Sequence, residues 1–271
     1  MEKIMPEGVE VTLFARSLNE FLKNKKITNV KNLGGRYLKA NESWHQLRDL
    51  RINQVLNKGK FIYWTFHDSD VVLFNTLGMT GGWTCRTTKH SKVEFELDEK
   101  EILFFTDVRN FGTLQIKNKK DLNKKINELG FDVVNNNLLD TDLVNITRSL
   151  KNINVCEFLM RQDVLSGIGN YIKAEALWFA NINPLANIHD LSESELHLLN
   201  EGIKDVINKS MSSGGASIKN YFNFDNQKGE ATDFFNVYGK KNDTLGNQVE
   251  RIETPDKRTT HYAPTKQIIG I

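Results

Sequence analysis

Between Pro6 and about Lys25, Phe14, Leu18, Phe21 and Leu22 fall at helical spacing, with a polar outer face. That pattern predicts one amphipathic helix. From Lys26 to about Lys117 the texture changes to short β-branched and aromatic runs separated by turn residues. Examples are Phe61-Ile62-Tyr63-Trp64-Thr65-Phe66, Val71-Val72-Leu73-Phe74, Val93-Glu94-Phe95-Glu96-Leu97 and Ile102-Leu103-Phe104-Phe105. Strands this closely spaced, without helices between them, predict an antiparallel sandwich or barrel. A Lys/Asn-rich stretch from Lys117 to Asn137 reads as a linker with one short helix. Helical spacing then returns over Leu143 to Ile153, Val155 to Gln162 and Tyr171 to Asn181. Ser192-Glu193-Ser194-Glu195 is a capping box that opens a fourth helix running towards Met211. Ser212 to Gly229 is polar and too long for a tight turn, so a mobile segment is expected there. Asn247 to about Gln267 alternates loosely and predicts a β-hairpin. The expected domains are residues 6–117, a linker over 118–138, and a helical domain over 139–271 that carries the hairpin.

Composition narrows the class without naming a partner. At 271 residues, 39% hydrophobic and 26% charged, the chain belongs with globular proteins of one large or two ordinary domains. A net charge of +2 permits a nucleic-acid partner but does not argue for one. No apolar run reaches the length of a membrane span and no secretory signal opens the chain, so an intracellular location is expected. Cys85 and Cys156 lie far apart, without a Cys-x-x-Cys pair, and read as reduced thiols. The six histidines are scattered, so no sequence-local metal site is expected.

Candidate chemistry is concentrated in a few places. Were Pro6 the first residue of the mature chain, it would carry a free secondary amine followed by the carboxylate of Glu7. An α-amino group has a pKa near ~8 and is partly nucleophilic at neutral pH. If Pro6 opens the first helix, the positive end of the dipole further disfavours its protonation. The plain alternative is an ordinary helix start, with proline in the first turn and acids behind it. Gly167-Ile168-Gly169-Asn170 leads straight into a helix and exposes backbone N–H groups, which suits a phosphate or a packed turn alone. Asn170 adds a donor there and Lys173 adds charge one turn on. Lys60, in Lys58-Gly59-Lys60, falls where a hairpin turn is expected and is either a solvated turn residue or a phosphate ligand. Met79 and the Arg109-Asn110-Phe111-Gly112 run lie in glycine-flanked loops. Such residues are either core or an apolar wedge with a base-edge reader, as enzymes that flip a nucleotide require. Arg258 is expected near the tip or on the return strand of the terminal hairpin, where a guanidinium can hold a phosphate bidentately.

The combination is more specific than its parts. Pro6-Glu7 with Glu10, Lys60, Leu77-Gly78-Met79-Thr80-Gly81, Arg109 with Phe111, Gly167-Ile168-Gly169-Asn170-Tyr171, Gly214-Gly215 and Val237-Tyr238-Gly239 occur in one order. That order resembles the formamidopyrimidine-DNA glycosylase/endonuclease VIII family from Met5 to about Gln267. The resemblance implies an α+β fold in which an N-terminal helix and an antiparallel β-sandwich precede a helix-two-turn-helix domain. It implies a DNA-binding cleft between the two. By motif match, Pro6 corresponds to the nucleophile and Glu7 to the carboxylate beside it. Lys60, Asn170 and Arg258 match phosphate binders, and Met79, Arg109 and Phe111 match residues inserted into the duplex. Where the zinc-bearing pattern has four cysteines, this chain has Leu245, Gln248, Ala263 and Lys266. Thr259-Thr260-His261-Tyr262-Ala263-Pro264 resembles instead the zincless hairpin of some members.

The expected function is therefore base-excision repair by a monomeric, cofactor-free, bifunctional glycosylase and abasic-site lyase. Its partner would be double-stranded DNA with oxidised bases or abasic sites. Met1-Glu2-Lys3-Ile4 precedes Met5, so the mechanism expects a start at Met5 or trimming that frees Pro6. A retained Met1 favours the rival reading, a non-catalytic damage sensor on the same scaffold. A packing-only module of a larger nucleoprotein is the third reading.

Overall fold

The computed structural model describes residues 5–40, 43–215 and 231–270. The four residues before Met5, and the 216–229 portion of the segment expected to be mobile, lie outside the described residues. Helix α1 (Gly8–Leu22) buries Val9, Val11, Phe14, Ala15, Leu18 and Leu22. The valine, leucine and phenylalanine side chains among these each contribute roughly 1.5–3 kcal/mol by leaving water. Pro6 does not open this helix. Glu7 is the N-cap in extended backbone, so Pro6 stands one residue further out and is itself buried.

The β half is a sandwich of two four-stranded antiparallel sheets. Its strands are β1 (Ile27–Asn32), β2 (Ile52–Lys58), β3 (Phe61–Phe66), β4 (Val71–Thr76), β5 (Gly81–Thr84), β6 (Ser91–Leu97), β7 (Ile102–Asp107) and β8 (Thr113–Asn118). One sheet runs β1-β6-β7-β5 and the other β2-β3-β4-β8. Strand alternation puts Trp64, Trp83, Phe95 and Phe105 between them, with the Trp83 ring centre 5.1 Å from those of both Phe95 and Phe105 in edge contacts. The Trp83 indole N–H donates to Asn75 at 3.0 Å, so this polar atom is satisfied inside the core. Helix α1 lies against β2.

The Lys/Asn-rich stretch is more structured than a tether. Helix α2 (Lys119–Glu128) covers β4 and β8 with Leu122, and Lys58 donates to the carbonyls of Ile126 and Leu129 at its end. The two-residue strand β9 (Phe131–Asp132) then pairs in parallel with β10 (Leu165–Ser166) of the helical half. The buried Asp132 carboxylate accepts from the Gly59 N–H (2.9 Å) and from Asn135, and so ties the β2–β3 turn to this stretch.

The helical half contains α3 (Asp140–Ser149), α4 (Val155–Met160), α5 (Asn170–Phe179) and α6 (Glu193–Ser212). Ser192 caps α6 reciprocally with Glu195, as its sequence predicts. The predicted hairpin is β11 (Glu250–Thr254) with β12 (Arg258–Tyr262), and β12 packs on α5. One apolar core runs from Val9 to Tyr238 through both halves.

Candidate active site and nucleic-acid interface

Three chain segments meet where α1 begins: the 5–8 segment, the β2–β3 turn and the turn into α5. The Gly8 N–H donates to the Gly167 carbonyl at 2.8 Å. A Cβ on Gly169 would lie 2.3 Å from Glu7 Cδ, so only glycine lets the Glu7 carboxyl reach this turn. Glu7 does not cap its own helix with that carboxyl. It reaches across to α5, where Oε1 accepts the Tyr171 N–H (2.8 Å) and Oε2 accepts the Ile172 N–H (3.2 Å). A helix N-terminus is an anion site, and here a side chain from the other half of the molecule occupies it.

Burial decides the protonation of this carboxyl. Glu7 is 3% exposed, and desolvation pushes its pKa up to about 7. The Lys60 charge opposes that shift, neighbouring Glu10 adds to it, and the two backbone N–H groups oppose it. Burial likewise lowers the pKa of Lys60, against the attraction of Glu7. The Lys60 ammonium donates to the Ile168 carbonyl at 2.7 Å, inside the glycine turn. Glu10, also buried, accepts the Glu7 N–H (2.8 Å) and the Tyr171 hydroxyl (3.0 Å). Gln162 completes the turn by accepting from the Gly167 N–H and donating to the Ile168 carbonyl.

A cationic lip adjoins this centre. Arg258 is exposed at the start of β12 and close enough for its charge to lower the pKa of Lys60. Asn170 bonds the Thr259 carbonyl through Nδ2 (2.9 Å), while its buried Oδ1 has no hydrogen-bond partner among the described residues. The structure therefore gathers Pro6, Glu7, Lys60, Asn170 and Arg258 around the start of α5.

Lys173 does not join them. It was expected to add charge for a phosphate, but it is 0% exposed and its ammonium lies 2.7 Å from Asp256. The reason is helical phase: position 173 points under the hairpin, whereas position 170 points to its edge.

Met79, Arg109 and Phe111 sit on two adjoining loops of the sandwich. Buried Asp107 joins these loops: Oδ1 accepts from Thr80 Oγ1 (2.6 Å) and the Arg109 N–H (3.2 Å), and Oδ2 accepts the Gly112 N–H (2.8 Å). A Cβ on Gly78, whose φ is +58°, would fall 2.7 Å from the Phe111 carbonyl carbon, so the loops touch. Phe111 is 53% exposed with the Arg109 guanidinium 5.0 Å from its ring centre, and Met79 is half-buried. An exposed ring under a guanidinium fits a wedge that enters a base stack.

The zinc-bearing pattern does not fit the C-terminal hairpin. Its four positions hold Leu245, Gln248, Ala263 and Lys266, and no group of three potential metal ligands occurs among the described residues. Side-chain bonds hold these positions instead. The Asp243 carboxylate accepts the Leu245 and Asn247 N–H groups and the Trp178 indole N–H. Gln267 accepts the Ala263 N–H and donates to Ile182, and Lys266 donates to the Trp178 carbonyl and Asn181.

The roles of Tyr171, Gln162, Asp107 and Asp132 were not read from the sequence. Only Glu10 had a local signal, as the acid three residues after Glu7.

Comparison with known proteins accords with this geometry. The model of the formamidopyrimidine-DNA glycosylase N-terminal domain matches residues 5–114, and that of the H2TH domain of the same family matches residues 129–221. A formamidopyrimidine-DNA glycosylase from Rickettsia africae is 32% identical over 252 residues, covering 88% of this chain and 89% of that protein. The MutM (Fpg) protein of Thermus thermophilus superposes with a TM-score of 0.84 at 26% identity, covering 97% of this chain and 98% of that one. An Fpg variant from Lactococcus lactis in complex with Fapy-dG-containing DNA shares the fold at a TM-score of 0.86 and 24% identity, over 97% and 99% of the two chains. With both halves matched in order and the relatives covered almost end to end, this chain belongs to the formamidopyrimidine-DNA glycosylase family.

Proposed function

We propose that this protein is a bifunctional DNA glycosylase and abasic-site lyase of base-excision repair, acting on oxidised bases in duplex DNA. The observation that carries the reading is the buried Glu7 carboxyl, pushed up to about 7 directly beside Pro6. The name of the Rickettsia relative makes formamidopyrimidine lesions the first substrates to try.

Met79, Arg109 and Phe111 enter the stack vacated when the damaged nucleotide turns out. Lys60, Asn170 and Arg258 hold the phosphates around it, so that C1′ is presented to Pro6. The free amine of Pro6 attacks C1′. The glycosidic bond breaks, its electron pair leaves with the base, and the base takes up the proton that the Pro6 nitrogen gives up. Glu7, protonated in roughly half the molecules at a pH near its pKa, gives its proton to the ring oxygen as the C1′–O4′ bond opens. The product is an iminium between Pro6 and C1′. Its positive nitrogen acidifies the C2′ proton, and removal of that proton expels the 3′ phosphate and breaks the strand. Water later releases the enzyme from the iminium.

This chemistry requires Pro6 to be the mature N-terminus, because an amide nitrogen has no basic lone pair. The family-model match that begins at Met5 supports this requirement. Borohydride added during turnover on abasic DNA should trap a covalent adduct, with peptide mapping locating it on Pro6. A protein verified to begin at Pro6 should cleave abasic DNA, and one verified to retain Met1 should not. An adduct mapped to a lysine, or equal single-turnover rates for the two forms, would sink the proline mechanism.

A further inference from the structure

The hairpin turn carries a buried ion pair that the glycosylase chemistry itself does not use. Lys173, on the face of α5 turned under the hairpin, and Asp256, in the turn between β11 and β12, have side chains 0% and 3% exposed with N and O 2.7 Å apart. The second Asp256 oxygen bonds the Thr254 hydroxyl, which also donates to the Arg258 carbonyl (3.1 Å) and meets Thr260 Oγ1 at 2.7 Å. Among the described residues the hydrogen-bond partners of Asp256 besides Lys173 therefore belong to the turn that delivers Arg258, with the buried Cys156 thiol of α4 lying 4.0 Å from Thr260 Oγ1. One position further on, Thr259 accepts from Asn170, three residues before Lys173 on the same helix. The turn is thus joined to α5 at two points, by a charge pair beneath and an amide at its edge. Lys257, with φ of +59°, takes the tight bend between Asp256 and Arg258.

A buried ion pair is a poor source of stability, because desolvation offsets most of its attraction. What it supplies is direction, since the paired charges tolerate little displacement in a dry site. We infer that Lys173 and Asp256 are positioning residues that fix the hairpin turn on α5, so that Arg258 and Asn170 grip the same backbone region of the DNA. This inference rests on the proposed phosphate-binding role of Arg258. It makes Lys173 act on DNA through Arg258, with no contact of its own.

The test measures affinity for a duplex carrying a tetrahydrofuran abasic analogue, across a range of salt, at a temperature where each variant is folded. The variants are R258A, K173M, D256N and the double variant K173M/R258A. R258A should weaken binding roughly tenfold or more and lower the salt slope by about one unit. K173M should reproduce both effects, although the lysine it removes is out of reach of DNA. The double variant should bind no more weakly than R258A alone, because both changes remove one grip. D256N keeps the side-chain volume and carries the test should K173M fail to fold. Losses that add in the double variant, or a salt slope unchanged in K173M and D256N while R258A lowers it, would overturn the inference. So would failure of both K173M and D256N to fold, which would assign the pair to stability alone. Unchanged binding of R258A would instead count against the phosphate-binding reading itself.

Discussion

Two acid–base pairs, one fully buried and one with a half-buried lysine, lie at either end of the α5 N-terminal turns, and they are built in opposite ways. Lys173 and Asp256 touch, each neutralising the other inside the protein. Lys60 and Glu7 do not form a direct ion pair: the lysine is held by the Ile168 carbonyl, and the glutamate by the Tyr171 and Ile172 N–H groups. Each of these two therefore keeps an unrelieved cost of burial, which raises the acid and lowers the amine. A contact pair fixes structure. A separated pair leaves an acid able to give up a proton near neutral pH, as catalysis of this kind requires.

The largest effect is expected from Glu7→Gln. Removing the proposed proton donor should slow base excision by about 10²–10⁴-fold, measured in single turnover on a duplex with one formamidopyrimidine lesion. The wild-type rate should fall as pH rises through about 7, and the variant should lack that limb. Stability follows the same titration. The folded-state pKa lies above the ordinary 4.5, so the folded protein binds more protons between 4.5 and about 7. Stability contributed by this group is present at low pH and is lost as pH rises through that window. The thermal midpoint of the wild type should therefore drop more steeply over this range than that of Glu7→Gln.

A smaller loss is expected where the separated pair plays no part. Asp107→Ala leaves the Thr80 hydroxyl and the buried Gly112 N–H of these two loops without their acceptor, while the Arg109 N–H keeps Thr80 Oγ1 at 2.9 Å, a cost of roughly 1–3 kcal/mol for the buried group. Excision from duplex DNA should slow about ten- to a hundredfold, while incision of a single-stranded abasic oligonucleotide changes little. Equal losses on both substrates would show that Asp107 supports the fold and not the wedge. The smallest effect is expected from chelation. EDTA should leave strand cleavage and the thermal midpoint unchanged, because Asp243, Gln267 and Lys266 make the bonds that hold the hairpin. Stoichiometric zinc in the purified protein would contradict that.

How much of this was legible in the sequence depends on how far apart the partners lie. The helical face of α1, the aromatic strands, the Ser192 cap and the terminal hairpin all rest on neighbours within one element, and periodicity reports them. The order of the site motifs was legible for the same reason. Lys173 was misread because its counter-ion lies 83 residues away, so nothing local distinguishes a buried lysine from a solvated one. The raised pKa of Glu7 was equally hidden. A glutamate beginning a helix should be acidic under its own dipole, and only the structure shows it turned to a second helix 164 residues on and shut away from water. Nothing in the local sequence singles out Asp107 or Asp132, whose importance lies in the N–H groups they collect from other segments.

The most direct test of the contrast between the two pairs is the titration of Glu7 itself. Carbon-detected NMR of the side-chain carboxyl in the free protein, assigned by its disappearance in Glu7→Gln, should give a midpoint near 7. Removing the opposing charge with Lys60→Met should move that midpoint higher still. A midpoint at or below the ordinary 4.5 would mean that Glu7 is a fixed anion capping α5, and would contradict its role as the acid.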